Sequence, residues 1–189
     1  MKQKYSSVVE RQSYVVKSGK DWECSVLSFL NGVFRKRQIG FKVIKGSSVK
    51  RKSIIWTKLS IPVNDGKRIW GDVDLIVVDK NNNPIGIISC KTSLHGRFSE
   101  TLFYAVVLKN QIPDIKFMFT TTDKGRQPKS GRWQSEWGSE EKPTKDRLLG
   151  SYYLDGVYID NPNTKLGGKI KNLKDLPNDL IKWAEKFKK

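Results

Sequence analysis

The sequence predicts an α/β fold in which helices flank a mixed central sheet. Three features indicate it: an apolar stripe with helical spacing near the start, a series of segments rich in Ile and Val between turn-forming residues, and an apolar helix followed by a further strand. The chain has 189 residues, which is the length of one domain. Its 6 Trp, 6 Tyr and 8 Phe can build a core, and they exclude a mainly disordered chain.

The first predicted helix covers residues 21–30. Val26 and Leu30 lie one helical turn apart, and Gly32 is a stop signal just after the stripe. Residues 1–20 are polar and give no clear prediction.

A meander of three antiparallel strands is predicted next. The three segments, 53–63, 68–78 and 85–91, are rich in Ile and Val. Residues 64–67 (Asn-Asp-Gly-Lys) and 79–84 contain the Asn, Asp, Gly and Pro that form turns. We therefore expect the last two strands to lie side by side.

The remaining segments alternate between helices and strands. The predicted elements are a helix over 99–108, a strand over 116–120, a loop over 121–146, a strand over 152–159 and a helix over 176–187. In the first of these helices, Phe103, Tyr104, Val107 and Leu108 are expected to share the buried face, with Glu100 at its head.

Charge is the most unusual property of the composition. Lys and Arg number 36 against 19 Asp and Glu, which gives a formal net charge of +17. So basic a chain favours polyanionic partners, and nucleic acid is preferred over a membrane surface because no basic amphipathic helix is visible. A basic protein without such a partner is the simpler alternative.

The cysteines, the histidine and the apolar runs exclude several other classes. No apolar run approaches the roughly 20 residues of a membrane span, and no signal peptide is visible at the start. Cys24 and Cys90 do not form a disulfide framework, so a cytoplasmic protein is expected. His95 is the only histidine, so a zinc site cannot be assembled.

Acidic residues and a lysine are predicted to meet at the ends of two neighbouring strands. Because successive side chains of a strand alternate between faces, Asp72 and Asp74 share one face of their strand, and Ser89 and Lys91 share one face of the next. The turn between the strands brings the two pairs opposite each other. If the faces coincide, carboxylate and ammonium groups meet on one surface of the sheet.

Two helices can bring further carboxylates to this point. Glu100 begins the helix after the lysine strand, and Glu23 lies in the first helix. Carboxylate oxygens are ligands for Mg²⁺, which lowers the pKa of a bound water and neutralises charge on a phosphate. Lys91 beside such an ion can orient or deprotonate the attacking water.

Each of these residues also has a simpler interpretation. Lys91 can be an edge-strand lysine that suppresses aggregation, and Asp74 a surface residue near a turn. Glu100 and Glu23 can be ordinary helix-surface acids, with Glu100 favoured by the helix macrodipole. Ser89 is interpreted as a hydrogen-bonding spacer, since no base lies near it in the sequence.

The arrangement resembles the PD-(D/E)xK nuclease superfamily, and type II restriction endonucleases in particular. The resemblance rests on Asp74, the hairpin after it, Ser89-x-Lys91 and the order of elements over residues 20–120. It implies a restriction-endonuclease-like core. Ser89 stands where this family usually has an acid, which implies the variant in which Glu100 of the following helix replaces it.

The resemblance leaves the identity of the main metal ligand open. The family's proline just before the motif Asp is absent, because position 73 is Val73. Both Asp72 and Asp74 therefore remain candidates, and Asp74 is preferred because apolar strand residues follow it directly. The resemblance also implies a supporting Glu from the first helix, where Glu23 is suitably placed.

The function implied by the resemblance is Mg²⁺-dependent, sequence-specific hydrolysis of phosphodiester bonds in double-stranded DNA. Two-fold symmetric sites call for a homodimer, and a cognate DNA methyltransferase is a possible partner. We expect a single domain over 1–189, with a catalytic core over about 20–120 and a DNA-recognition loop over about 121–150. A Holliday-junction resolvase or repair nuclease, or a non-catalytic nucleic-acid-binding module, is the alternative.

Base and phosphate contacts are predicted in two basic segments. Arg and Gln suit base edges, and aromatic side chains stack on bases. The predicted DNA-binding residues of the loop are Lys124, Arg126, Gln127, Lys129, Arg132, Trp133, Gln134 and Trp137. The predicted phosphate contacts are Lys42, Lys45, Lys50, Arg51, Lys52 and Lys58. An irregular surface loop and solvated charges are the simpler alternatives.

Overall fold

The computed structural model describes residues 8–94, 97–126 and 131–186, and within them the side chains of residues 17–185. The helices are α1 Val8–Lys36, α2 Ile54–Leu59, α3 Phe98–Gln111, α4 Lys145–Tyr153 and α5 Leu176–Lys186. The strands are β1 Lys42–Lys45, β2 Ile61–Pro62, β3 Arg68–Ile69, β4 Leu75–Val78, β5 Pro84–Cys90, β6 Lys116–Thr121, β7 Gly156–Ile159 and β8 Ile170–Asn172.

In the described part of the chain, six strands form one mixed sheet in the order β1-β4-β5-β6-β7-β8. The first three pair antiparallel, and β5 to β8 pair parallel. The short strands β2 and β3 pair with each other in a separate two-stranded sheet. The predicted α/β class with a mixed central sheet is confirmed.

Helices cover both faces of this sheet. On one face, Val26 and Leu30 of α1 and Leu180 of α5 pack with Leu75 and Val77 of β4. On the other face, α3 packs with the intervening residues of β4. All four residues of β4 are buried, which explains why this strand is a continuous apolar run rather than an alternating one.

The predicted three-strand meander is only partly correct. Within residues 53–63 only β2, Ile61–Pro62, is a strand, and it pairs with β3 across the predicted turn. Helix α2 occupies most of the segment, and the Ser53 hydroxyl caps its start by accepting a hydrogen bond from the Trp56 N–H. The predicted strand over 68–78 is divided into β3 and β4. Strand β4 pairs with β1, which the sequence analysis did not predict, and with β5, as predicted.

Several boundaries also differ from the prediction. Helix α1 begins at Val8 rather than residue 21, and the short edge strand β8 was not predicted. The segment predicted as loop ends where α4 begins, at Lys145, and β7 starts only at Gly156 because α4 continues to Tyr153. Helix α5 and strand β6 agree closely with the prediction.

Helix α3 was predicted in the right place, and its predicted buried face is partly correct: Leu108 is buried and Tyr104 packs against the core. Its buried residues are Phe98, Thr101, Leu102, Ala105 and Leu108. Phe103 is 60% exposed, so it does not belong to the core. Within the described part of the chain, no helix is long and apolar enough to cross a membrane.

Candidate active site

Asp74 and Lys91 meet at one edge of the central sheet. The Lys91 Nζ lies 3.0 Å from Asp74 Oδ2 and 2.9 Å from Asp72 Oδ2. Lys91 is only 8% exposed, whereas the two carboxylates keep more contact with solvent. The predicted meeting of two acids and a lysine on one surface is therefore present in the structure.

The ammonium of Lys91 is stabilised in its charged form. Burial lowers the pKa of Lys91, but the nearby Asp74 and Asp72 carboxylates outweigh that effect, and the net pKa is raised above the ordinary 10.5. A lysine in this state donates hydrogen bonds and positive charge. It does not serve as a proton acceptor while it holds both carboxylates.

Asp74 is fixed by the end of the neighbouring strand. Its Oδ2 accepts hydrogen bonds from the Cys90 N–H at 2.7 Å and the Ser89 hydroxyl at 3.3 Å. This is possible because β4 begins directly after Asp74 and pairs with β5 in the register Leu75↔Ile88. The sheet itself thus orients this carboxylate towards Lys91.

The helix residue that reaches this site is Thr101, not Glu100. The Thr101 hydroxyl lies 3.0 Å from the Ser89 hydroxyl, and both side chains are buried. Glu100, one residue earlier on α3, is exposed. Among the described contacts, none joins Glu100 to Asp74 or Lys91, so the structure does not bring it to the site.

Glu23 of α1 approaches the same edge from the other face of the sheet. Its carboxylate lies 3.8 Å from Lys45 Nζ. Burial raises the pKa of Glu23, Lys45 lowers it, and the nearby Asp74 raises it further, with a net increase above the ordinary 4.5. The influence of Asp74 and Lys91 on this pKa indicates that Glu23 shares their electrostatic surroundings.

The donor atoms suit a hard cation, although they do not form a complete cage. Among the described residues, no three His, Cys, Asp or Glu side chains are grouped as a metal site. Mg²⁺, however, commonly takes one or two carboxylates and fills its other positions with water and substrate phosphate. Asp72 and Asp74, with Glu23 nearby, fit that requirement.

Among the described members of the predicted DNA-binding set, Trp137 belongs to the core. Trp137 is fully buried and packs edge-on against Phe98 and Phe119, so the prediction that it contacts DNA is wrong. Gln127 and Lys129 lie outside the described residues. The exposed members of the set are Lys124, Arg126, Arg132 and Gln134, and Trp133 is half-buried.

A buried aspartate that the sequence analysis missed holds this segment in place. Asp123 Oδ1 accepts from the Glu136 N–H at 3.0 Å, and Oδ2 accepts from the Ser135 hydroxyl at 2.6 Å and from Thr164. Asp123 is fully buried. Its position two residues after β6 is the one sequence signal that could have suggested it.

The predicted phosphate contacts are divided between paired and solvent-facing side chains. Lys45 contacts Glu23 and the Cys24 thiol, and Lys58 donates to Asn83. Lys42, Lys50, Arg51 and Lys52 are exposed. Exposure of these four leaves them accessible to an anionic partner.

Comparison with known proteins gives consistent results over most of the chain. The family model described as BsaWI restriction endonuclease type 2 matches residues 42–179. A protein named "Putative type II restriction enzyme MjaVIP", from Methanocaldococcus jannaschii, is 30% identical over 136 residues, which is 69% of this chain and 58% of that protein. The chain therefore spans less than two thirds of this relative. No solved structure gives a significant match.

The matched residues contain most of the site. They run from β1 into α5 and include Asp72, Asp74, Ser89 and Lys91, whereas Glu23 lies before them. The carboxylates and the lysine of the sheet edge thus belong to the matched part, and the contribution of α1 does not.

Proposed function

This chain belongs to the BsaWI family of type 2 restriction endonucleases, and we propose that it hydrolyses phosphodiester bonds of double-stranded DNA at a specific sequence with the help of Mg²⁺. The observation that carries the proposal is the contact of Asp74 and Asp72 with Lys91 at 3.0 and 2.9 Å. In this arrangement the two solvent-accessible carboxylates can bind a metal ion. The buried lysine beside them can contact a phosphate of the substrate.

The acidic residues of the site have distinct roles in this proposal. Asp74 and Asp72 would hold Mg²⁺, with Glu23 supporting from α1. The bound ion would supply an activated water and neutralise charge on the scissile phosphate. Asp74 is the principal ligand in this assignment, because the Cys90 N–H and the Ser89 hydroxyl fix its orientation.

Lys91 acts as a donor in this mechanism. Because its pKa is raised, it remains an ammonium at neutral pH. It can turn from one carboxylate to a non-bridging phosphate oxygen, where it stabilises the negative charge of the transition state. Ser89 keeps Asp74 in position, and the contact between Ser89 and Thr101 ties that position to α3.

DNA binding follows from the charge and from the exposed residues of the segment after β6. The net charge of +17 favours a polyanion. Lys124, Arg126 and Arg132 are exposed and can contact phosphates or base edges, with Gln134 and Trp133 beside them. A homodimer would match two-fold symmetric sites, and a cognate methyltransferase would protect the host's own sites.

One digestion experiment tests the catalytic proposal. Purified protein is incubated with phage DNA or with a synthetic four-way DNA junction, in Mg²⁺ or in EDTA, and the products are separated on a gel. Discrete bands that require metal support sequence-specific cleavage. A smear indicates a nonspecific nuclease, cleavage of branched DNA alone indicates a junction resolvase, and intact DNA in every condition contradicts the proposal.

A lysine variant separates catalysis from binding. Lys91→Ala is expected to lose at least about 100-fold in cleavage, which is the lower range for a positioned catalytic group, while it still binds DNA. Lys109→Ala is the matched control, because Lys109 also pairs with an aspartate. Its Nζ lies 2.8 Å from Asp155 Oδ2, and this ion pair is outside the site. Equal cleavage by the two variants would contradict the assignment of Lys91.

A further inference from the structure

A second concave site, lined by tryptophan and arginine, lies beside the proposed active site. It has a volume of about 320 Å³ and is lined by Gly46, Ser47, Val49, Arg51, Trp56, Arg68 and Trp70. This volume is at the lower end of the range for small-molecule sites, about 300 to 1,000 Å³. We call these seven residues the tryptophan pocket.

Arg68 forms a rigid cationic wall of the tryptophan pocket. Its Nε donates to the Ser60 hydroxyl at 2.7 Å, and its Nη2 donates to the carbonyls of Thr57 at 3.0 Å and Ser60 at 2.5 Å. These bonds use three of the five guanidinium N–H groups. Within the described part of the chain, the two N–H groups of Nη1 have no acceptor and remain available to a ligand.

The second arginine adds charge next to an aromatic ring. The guanidinium carbon of Arg51 lies 5.9 Å from the centroid of the Trp56 ring, which is cation–π geometry. Arg51 is exposed, and both tryptophans are half-buried. The lining contains no acidic residue. The tryptophan pocket therefore suits a ligand that is flat, aromatic and attached to a negative charge.

The tryptophan pocket is joined to the active site through the backbone. Gly46 donates its N–H to the Asp74 carbonyl at 2.8 Å, and Trp70 lies two residues before Asp72. The tryptophan pocket is therefore next to the backbone that carries Asp72 and Asp74, where a bound DNA strand can reach it.

We propose that the tryptophan pocket takes one base of the DNA substrate after that base has left the helical stack. This inference rests on the proposed function and adds a substrate contact to it. Inside a duplex both faces of a base are covered by its neighbours, so stacking against Trp56 or Trp70 requires an extruded base. Arg51 and Arg68 then hold the phosphates or the polar edge of that nucleotide.

Binding to a DNA with one unpaired base tests the pocket without requiring cleavage. Fluorescence anisotropy in EDTA compares a fully paired labelled duplex with the same duplex carrying a single bulged base. The wild-type protein is expected to bind the bulged duplex about tenfold more tightly, as stacking of one base on an aromatic side chain implies. Equal binding of the two duplexes would overturn the proposal.

Variants locate that preference in the pocket. Trp56→Leu and Arg51→Ala are each expected to remove most of the preference for the bulge. Because Arg51 is exposed, Arg51→Ala should fold normally even if Trp56→Leu does not. Trp183→Leu and Arg35→Ala, on α5 and α1, are the matched controls and should keep it. Retention of the full preference in both pocket variants would overturn the assignment.

A photochemical experiment gives a direct answer. A bulged 5-iodouracil is irradiated in the complex, and the cross-linked residue is identified by mass spectrometry. A cross-link to Trp56 or Trp70 supports the proposal, and one exclusively to another residue, such as Trp133, contradicts it. None of these experiments requires hydrolysis, so a protein that does not cut phage DNA can still bind the extruded base. A negative result for DNA cleavage and a negative result for base binding are therefore distinguishable.

Discussion

Two aspartates at the same edge of the central sheet have opposite surroundings. Asp74 precedes β4 and Asp123 follows β6, and the sheet order brings both to the edge where β5 ends. Asp74 is 15% exposed and shares its oxygens with the ammonium of Lys91. Asp123 is fully buried, and its donors among the described residues are neutral, namely two hydroxyls and one backbone N–H.

The difference distinguishes a carboxylate that can exchange partners from one that cannot. A lysine side chain can leave Asp74 without breaking the backbone, and solvent can reach the carboxylate it leaves. The donors of Asp123 belong to the loops that it holds together, so their departure would require local unfolding. Accessibility and type of partner, rather than position in the sheet, therefore separate the catalytic candidate from the structural residue.

The largest expected effect is on cleavage by Asp74→Asn. The amide keeps an oxygen that accepts from the Cys90 N–H but removes the charge that attracts Lys91 and a metal ion. We expect cleavage of phage DNA to fall by at least about 100-fold, in a protein that remains folded because Asp72 still pairs with Lys91. If Asp72→Asn lost more activity than Asp74→Asn, Asp72 would be the principal ligand instead.

The matched substitution at the structural residue, Asp123→Asn, should show the reverse pattern. One acceptor oxygen becomes an NH₂ group that faces buried donors, so the free energy of unfolding is expected to fall by about 1 to 3 kcal/mol. Denaturant unfolding measures this loss. Cleavage by the fraction that remains folded should stay within a few fold of the wild type, and a complete loss of activity in folded protein would break the distinction.

The third prediction concerns Glu23, whose pKa is raised above 4.5. The folded protein holds the Glu23 proton more firmly than the unfolded chain does. The stabilisation from this proton is therefore complete below pH 4.5 and disappears as the pH rises through the raised pKa. Relative to Glu23→Gln, the wild type should lose unfolding free energy as the pH rises from 4 to neutrality. Parallel curves for the two proteins would contradict this.

A smaller effect on binding is expected for Arg132→Ala. Arg132 is exposed on the segment that Asp123 anchors, so its loss should leave the melting temperature unchanged. If Arg132 contacts a phosphate, the slope of log affinity against log salt concentration should decrease in magnitude by about 1. An unchanged slope, measured by anisotropy at several salt concentrations, would remove Arg132 from the interface.

Strand alternation was sufficient to predict the contact between Asp74 and Lys91. Successive side chains of β5 alternate between the two faces of the sheet, and the turn after β4 makes β4 and β5 neighbours. The short edge strands β1 and β8 could not be predicted, because three or four residues carry too little pattern. Residues 53–63 were misassigned because Ile54 and Ile55 favour strands by propensity, whereas the Ser53 cap and tertiary packing produce a helix.

Helix phase explains why Glu100 was predicted at the site and Thr101 was found there. Neighbouring helical residues differ by about 100° in direction, so an error of one residue turns a buried side chain outward. Phe103 suggested one phase, whereas Phe98, Leu102 and Ala105 set the observed one. Which of several apolar residues a helix buries depends on the shape of the sheet beneath it, which local sequence does not contain.

The contact between Gly46 and Val73 has a practical consequence. A methyl group at position 46 would lie 1.8 Å from the Val73 carbonyl oxygen, so any larger residue would push the end of β1 away from the strand that carries the acids. Gly46→Ala would alter the spacing of the acids without touching any group that does chemistry. Under the proposed function, such a variant offers a way to attenuate DNA cleavage during production in cells whose DNA is unprotected.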